Sequence, residues 1–218
     1  LRNFVQILRS GVVGRKSLGS RPKRLVQQWL NGRSDAQLLS ASVGNDPSLA
    51  DVIKMVHPKP ATSERTAFYA WLIGKPHDAA LLPNVIKALD QFKNDVEAPV
   101  PDVPFELLTA LPLQPQHWVA IACQAPWQMT RMNLNTFARH EVFKVGGMAQ
   151  RIAERLRDPA AIRRARVFPY QLLSAYAMVG EGVPEIVRDA LQDALEVALE
   201  NVPELPGQVY VLLDVSGS

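Results

Sequence analysis

Val183-Pro184-Glu185-Ile186-Val187-Arg188-Asp189-Ala190-Leu191-Gln192-Asp193-Ala194-Leu195-Glu196-Val197-Ala198-Leu199-Glu200-Asn201 is the stretch that decides the fold class. Val187, Leu191, Ala194, Leu195, Ala198 and Leu199 recur at three and four residues and make one apolar stripe. Glu185, Asp189, Asp193, Glu196 and Glu200 lie off it. The spacing predicts an amphipathic helix over 183–201. Working outward, the same period recurs over nearly the whole chain. Phe4, Ile7 and Leu8 carry it, as do Leu25, Val26, Trp29 and Leu30 after Ser20-Arg21-Pro22, which reads as a cap followed by an early proline. Further helices are expected over 35–43, 47–57, 64–74, 77–94, 105–111, 116–125, 130–143, 147–157, 159–166 and 169–179. Turn signals part them: Asn31-Gly32, Gly44-Asn45-Asp46-Pro47, Gly146-Gly147 and Gly180-Glu181-Gly182.

Many short helices without a long bundle point to an all-α, HEAT-like helical-repeat solenoid, although no clean period near the ~40 residues of such repeats is visible. Pro99-Val100-Pro101-Asp102-Val103-Pro104 reads as a stiff connector between two sub-bundles. After Pro206-Gly207 the pattern changes. Gln208-Val209-Tyr210-Val211-Leu212-Leu213 is short, apolar and β-branched, and reads as a buried strand. A domain boundary near 206 is therefore expected, with a helical domain over 1–205 and the first strand of an α/β domain over 206–218. Leu1 and Ser218 both lie in sequence that reads as structured, so the chain is expected to be a piece of a longer protein.

Composition narrows the function classes. The 218 residues are 47% hydrophobic and 21% charged, which excludes a disordered tail. No apolar run approaches the ~20 residues of a membrane span, so a soluble, cytoplasmic protein without a membrane partner is expected. A single cysteine, Cys123, excludes a disulfide framework and a cysteine-rich zinc site. Net charge is only +3, but it is polarised: residues 1–34 hold eight basic residues and no acidic one, while 181–204 hold seven acidic residues and only Arg188. Polyanions are the natural partners of the basic end.

Arg15, Lys16, Arg21, Lys23 and Arg24 concentrate that charge. On a helical wheel Leu25, Val26, Trp29 and Leu30 occupy one half, and Arg21, Lys23, Arg24, Gln27 and Gln28 the other. Such a face suits phosphates, which need cations and fork-like donors; the alternative is an ordinary solvated face. Gly11-x-x-Gly14-Arg15-Lys16-Ser17 lacks the spacing and the preceding strand of a nucleotide-binding loop. His57 ends a helix, where a cation is favoured, and Lys59 sits in a Pro58-x-Pro60 frame. By residue chemistry alone His57 is more often a capping residue than a ligand. Asn133 and Asn135, inside an apolar segment, are expected to bind the backbone of a neighbouring turn. Arg163-Arg164-x-Arg166 reads as a solvated face, and Cys123 as core. Asp214-x-Ser216-x-Ser218, directly after the strand, offers three hard oxygen ligands to Mg²⁺ or a similar divalent cation. This resembles the metal-ion-dependent adhesion site of von Willebrand factor A domains, whose remaining ligands come from later loops, so the site is incomplete and tight binding is not expected. No nucleophile–base pair is visible, and no enzymatic activity is expected.

Taken together, the basic helix, Met55-Val56-His57-Pro58-Lys59-Pro60, Arg166-Val167-Phe168-Pro169-Tyr170-Gln171-Leu172-Leu173 and the Asp214-Val215-Ser216-Gly217-Ser218 ending resemble the Ro autoantigen family, specifically the C-terminal part of its TROVE domain running into a von Willebrand A domain, in a bacterial form. The resemblance implies helical pairs closed into a ring. It implies binding of Y RNAs on the basic outer surface and of misfolded RNAs through single-stranded ends in the central hole. It implies partnership with polynucleotide phosphorylase in RNA degradation and ribosomal RNA processing, and it places His57 on a histidine implicated in Y RNA contact. The loop Ser40–Pro47 departs from the animal proteins, having no basic residue where they carry two. A protein-interaction scaffold, using the solenoid and the metal loop, is the rival expectation.

Overall fold

The computed structural model describes residues 1–12, 14, 17–95, 97–204, 206–208 and 210. Among them every regular element is helical, as the periodicity predicts. The chain divides into two compact units, 1–113 and 114–218. The proline-rich stretch 99–104 thus lies inside the first unit and does not part the two. Of the expected strand over 208–213 only Gln208 and Tyr210 are described; Asp214, Ser216 and Ser218 lie outside the described residues, as do Arg15 and Lys16.

The first unit contains α1 (Arg2–Arg9), α2 (Ser20–Asn31), α3 (Asp35–Ser42), α4 (Leu49–Val56), α5 (Ser63–Leu72), α6 (Asn84–Asn94) and α7 (Phe105–Leu108). α4 is its hub, packing against α1, α2, α3 and α5. Its start is fixed locally. The Ser48 hydroxyl accepts from the Asp51 backbone N–H at 3.1 Å, and the Asp51 carboxylate accepts from the Ser48 N–H at 3.1 Å, a reciprocal cap. The Ser48 hydroxyl, which also donates to the Asp51 carboxylate at 2.6 Å, and the Ser48 N–H hold the Asp51 carboxyl below its ordinary range. Leu49, Val52, Ile53 and Val56 then bury one face against Val26 and Leu30 of α2 and Phe68 of α5. The single helix expected over 77–94 is broken, because the residue before Pro83 is pushed out of the helical region. Leu82 is extended, leaving one 3-10 turn (Ala79–Leu81) ahead of α6.

The second unit contains α8 (Pro115–Gln124), α9 (Trp127–Met132), α10 (Leu134–Arg139), α11 (Met148–Arg157), α12 (Pro159–Ala165), α13 (Pro169–Met178) and α14 (Glu185–Ala198). α14 packs against α11, α12 and α13 through Val187, Ala190, Leu191, Ala194 and Ala198. Leu199, placed on the stripe by its spacing, is 57% exposed, because the helix tightens into a 3-10 turn at that residue. The helix expected over 130–143 is interrupted at Asn133, whose amide donates to the Met129 carbonyl. Asn135 behaves as expected: its amide donates to the Met178 carbonyl at 2.8 Å and its oxygen accepts from the Gly180 N–H at 2.8 Å. Arg163 is not merely solvated. It pairs with Glu200 at 2.7 Å, which holds the Glu200 carboxyl low and the guanidinium high, in an exposed setting where such pairs are weak. Cys123 is half-buried, with its sulfur beside Met148 and Arg151.

Candidate nucleic-acid interface

α2 carries the candidate interface, and its sequence explains its orientation. Val26 and Leu30 are fully buried against α4, which turns Arg21 and Arg24 outward. Two details differ from the wheel. Gly19, with φ +75°, precedes the first helical residue, so Ser20 already belongs to the helix and contributes no cap. Leu25 is 58% exposed, while Val26 and Leu30 take the buried edge of the apolar half. Lys23 is half-buried.

Electrostatically, the start of α2 gathers positive charge. Its first turn has no acidic residue, although the helix dipole favours anions there. Arg21, Lys23 and Arg24 crowd cations onto the positive end instead. Among the described residues no ion pair neutralises any cation of residues 1–34; the five ion pairs are Arg65–Asp35, Lys93–Asp90, Lys144–Glu141, Arg157–Asp193 and Arg163–Glu200. Arg33 lies over the Trp29 ring at 5.0 Å, and Arg9 acts on Asp51 across the surface. This arrangement offers no stability gain; it stores positive potential that an anion can use.

The 56–60 turn completes the site. α4 ends at His57, which is exposed and left-handed at φ 49°, ψ 64°, with its N–H donating to the Ile53 carbonyl at 2.9 Å. That conformation costs a non-glycine residue about 1 kcal/mol, so the surroundings must hold it. Gln27 of α2 donates its amide to the Val56 carbonyl at 2.6 Å and to the His57 carbonyl at 3.3 Å. Asn31, one turn on, donates to the Lys59 carbonyl at 3.0 Å, while its oxygen accepts from the Tyr69 hydroxyl at 3.0 Å. Burial pushes that hydroxyl's pKa up. Between helix and turn lies an open cleft of about 710 Å³ lined by Arg24, Gln27, Gln28, Asn31, Gly32 and Lys59.

The structure therefore brings Arg24 and Lys59 together, with His57 on the same turn. Arg21 and Lys23 lie on the same helix outside the cleft lining. Gln27 and Asn31 as holders of the turn were not legible: Gln27 read only as part of the polar half-wheel, and a partner some thirty residues away leaves no local signal. The loop without basic residues acquires one from elsewhere. Arg2 lays its guanidinium against Gly44, where φ is +109° and any Cβ would collide with it. The other histidines serve structure. His117 accepts from the Gln114 N–H at 3.0 Å, His140 stacks on Trp118 at 4.1 Å, and His77 sits on the Lys75 carbonyl. Among the described residues no group of three or more His, Cys, Asp or Glu is placed to hold a metal ion, and the residues proposed for one lie outside that set.

Fold and cleft define a class: an all-α protein with an uncompensated cationic helix against an amide-clamped turn. No protein-family model matches the chain. The RNA-binding protein RO60 of Deinococcus radiodurans is 29% identical over 198 residues, covering 78% of this chain and 36% of the relative. The crystal structure of the Deinococcus radiodurans RO (RSR) protein matches with a TM-score of 0.63 at 21% identity, over 92% of this chain and 46% of that one. The chain thus spans less than half the length of either. Both comparisons return Ro proteins, so the family resemblance read from the sequence is borne out. No helix is long and apolar enough to cross a membrane among the described residues.

Proposed function

We propose that this chain is a non-catalytic RNA-binding module of a Ro-type ribonucleoprotein, part of a HEAT-like helical ring. The observation that carries the proposal is the cleft: Arg24 and Lys59 face one open space, and no carboxylate pairs with either among the described residues. Lysine and arginine neutralise phosphates there, and amide side chains offer donors and acceptors to ribose and base edges. Discrimination comes from RNA shape rather than a base code. The RNAs are Y RNAs, misfolded non-coding RNAs with single-stranded ends, and ribosomal RNA precursors; polynucleotide phosphorylase is the degradative partner, in the cytoplasm. Asp214, Ser216 and Ser218 offer oxygen ligands to a divalent cation such as Mg²⁺.

The test is a filter-binding titration with an RNA hairpin bearing a single-stranded 3′ tail. Arg21→Glu combined with Arg24→Glu should weaken binding to structured and unstructured RNA alike. Undiminished affinity in the folded double variant would reject the reading. One observation favours a scaffold instead: α13 exposes Tyr170, Leu173, Tyr176 and Met178 along its surface, with Phe168 exposed at its cap. A protein complex of the chain that survives RNase would support that rival.

A further inference from the structure

A helix leaves its last four carbonyls without intrahelical partners. Glycine in the left-handed position ordinarily closes such an end at little strain. α4 closes on His57 instead, and the Val56 and His57 carbonyls are met by the Gln27 amide of a different helix. Asn31 meets the Lys59 carbonyl two residues further on. Gln27 and Asn31 are four residues apart and share one face of α2, so they grip the turn at two points. Asn31 is itself fixed by Tyr69, which is 5% exposed.

We infer that Gln27 and Asn31 are positioning residues for RNA: uncharged side chains that set where the His57 and Lys59 side chains stand relative to Arg24. Both Gln27 amide hydrogens and one of Asn31's are spent on carbonyls. Gln28, exposed in the same cleft, carries no such bond and is the amide placed for contact. The inference rests on the functional reading above, because it assigns a role within that cleft.

The clamp makes an uncharged substitution behave as a loss of charge. Releasing the turn frees Lys59 from its phosphate, and each phosphate contact contributes about 0.9 to the slope of log affinity against log salt. One lost contact corresponds to roughly a fivefold loss at about 0.15 M salt. The experiment measures RNA binding by the whole chain across a salt series, using the tailed hairpin. It compares wild type, Gln27→Met, Gln27→Met with Asn31→Ala, Lys59→Ala, and the triple variant. Gln27→Met is nearly isosteric and keeps α2 packed if the double variant melts. The expected result is a shallower slope, by about 0.9, in the double variant and a partial decrease in Gln27→Met. In the Lys59→Ala background the amide substitutions should add little. Unchanged slopes in folded variants, or a full additive loss on top of Lys59→Ala, would overturn the clamp while leaving the cleft intact as an RNA site. Absence of salt-dependent binding in the wild type would remove both.

Discussion

Arg24→Ala is the perturbation whose size follows most directly from the structure. Arg24 and Lys59 line the cleft, and Arg21 and Lys23 add two further cations on α2 outside its lining. If each neutralises one phosphate, the salt slope is about −3.6, at about −0.9 per contact. Raising salt from about 50 to about 200 mM then weakens binding roughly 150-fold. Removing Arg24 reduces the slope to about −2.7 and that salt penalty to roughly 40-fold. The Arg24 side chain is exposed and makes no ion pair or hydrogen bond among the described residues, so its loss should leave the melting temperature unchanged. Fluorescence anisotropy with a labelled RNA hairpin over a salt series reads the slope directly. A wild-type slope near zero, or one that Arg24→Ala leaves unaltered, would refute the phosphate assignment.

Two further outcomes concern the scaffold beneath the site. Leu30→Ala empties a fully buried position between α2 and α4 and should cost about 2–5 kcal/mol in urea unfolding; a loss under 1 kcal/mol would mean that α2 is not anchored there. Asp51, whose carboxyl sits below its ordinary 3.8 because of the Ser48 hydrogen bonds, contributes stability that is present above that value and lost as pH falls through the lowered one. Asp51→Asn should therefore cost stability at neutral pH and flatten the acid limb of a pH series of thermal melts, and a parallel acid limb would contradict this.

The helical content was legible because amphipathic spacing is a local property. α14 was read to within a turn, missing only the tightening at Leu199. Breaks were harder. Pro83 and Asn133 interrupt apolar periodicity without abolishing it, so 77–94 and 130–143 read as single helices. The cationic face was legible in part. The absence of acids in residues 1–34 marked it, but Leu25 and Lys23 exchanged their expected exposures, because which edge of α2 meets α4 is a matter of packing rather than spacing. The meeting of α2 with the His57–Lys59 turn was not legible. Each segment suggested chemistry alone, yet Gln27, Asn31 and Tyr69 join them over 28–38 residues of chain. Arg2 against Gly44 belongs to the same kind of non-local compensation.

The most direct measurement is photocrosslinking of the intact chain to an RNA hairpin substituted with 4-thiouridine, followed by mass spectrometry of the attached peptides. An RNA site in the cleft predicts crosslinks concentrated in residues 20–33 and 56–60, diminished by competing unlabelled RNA. Crosslinks absent from both segments, or confined to the acidic helix α14, would contradict it.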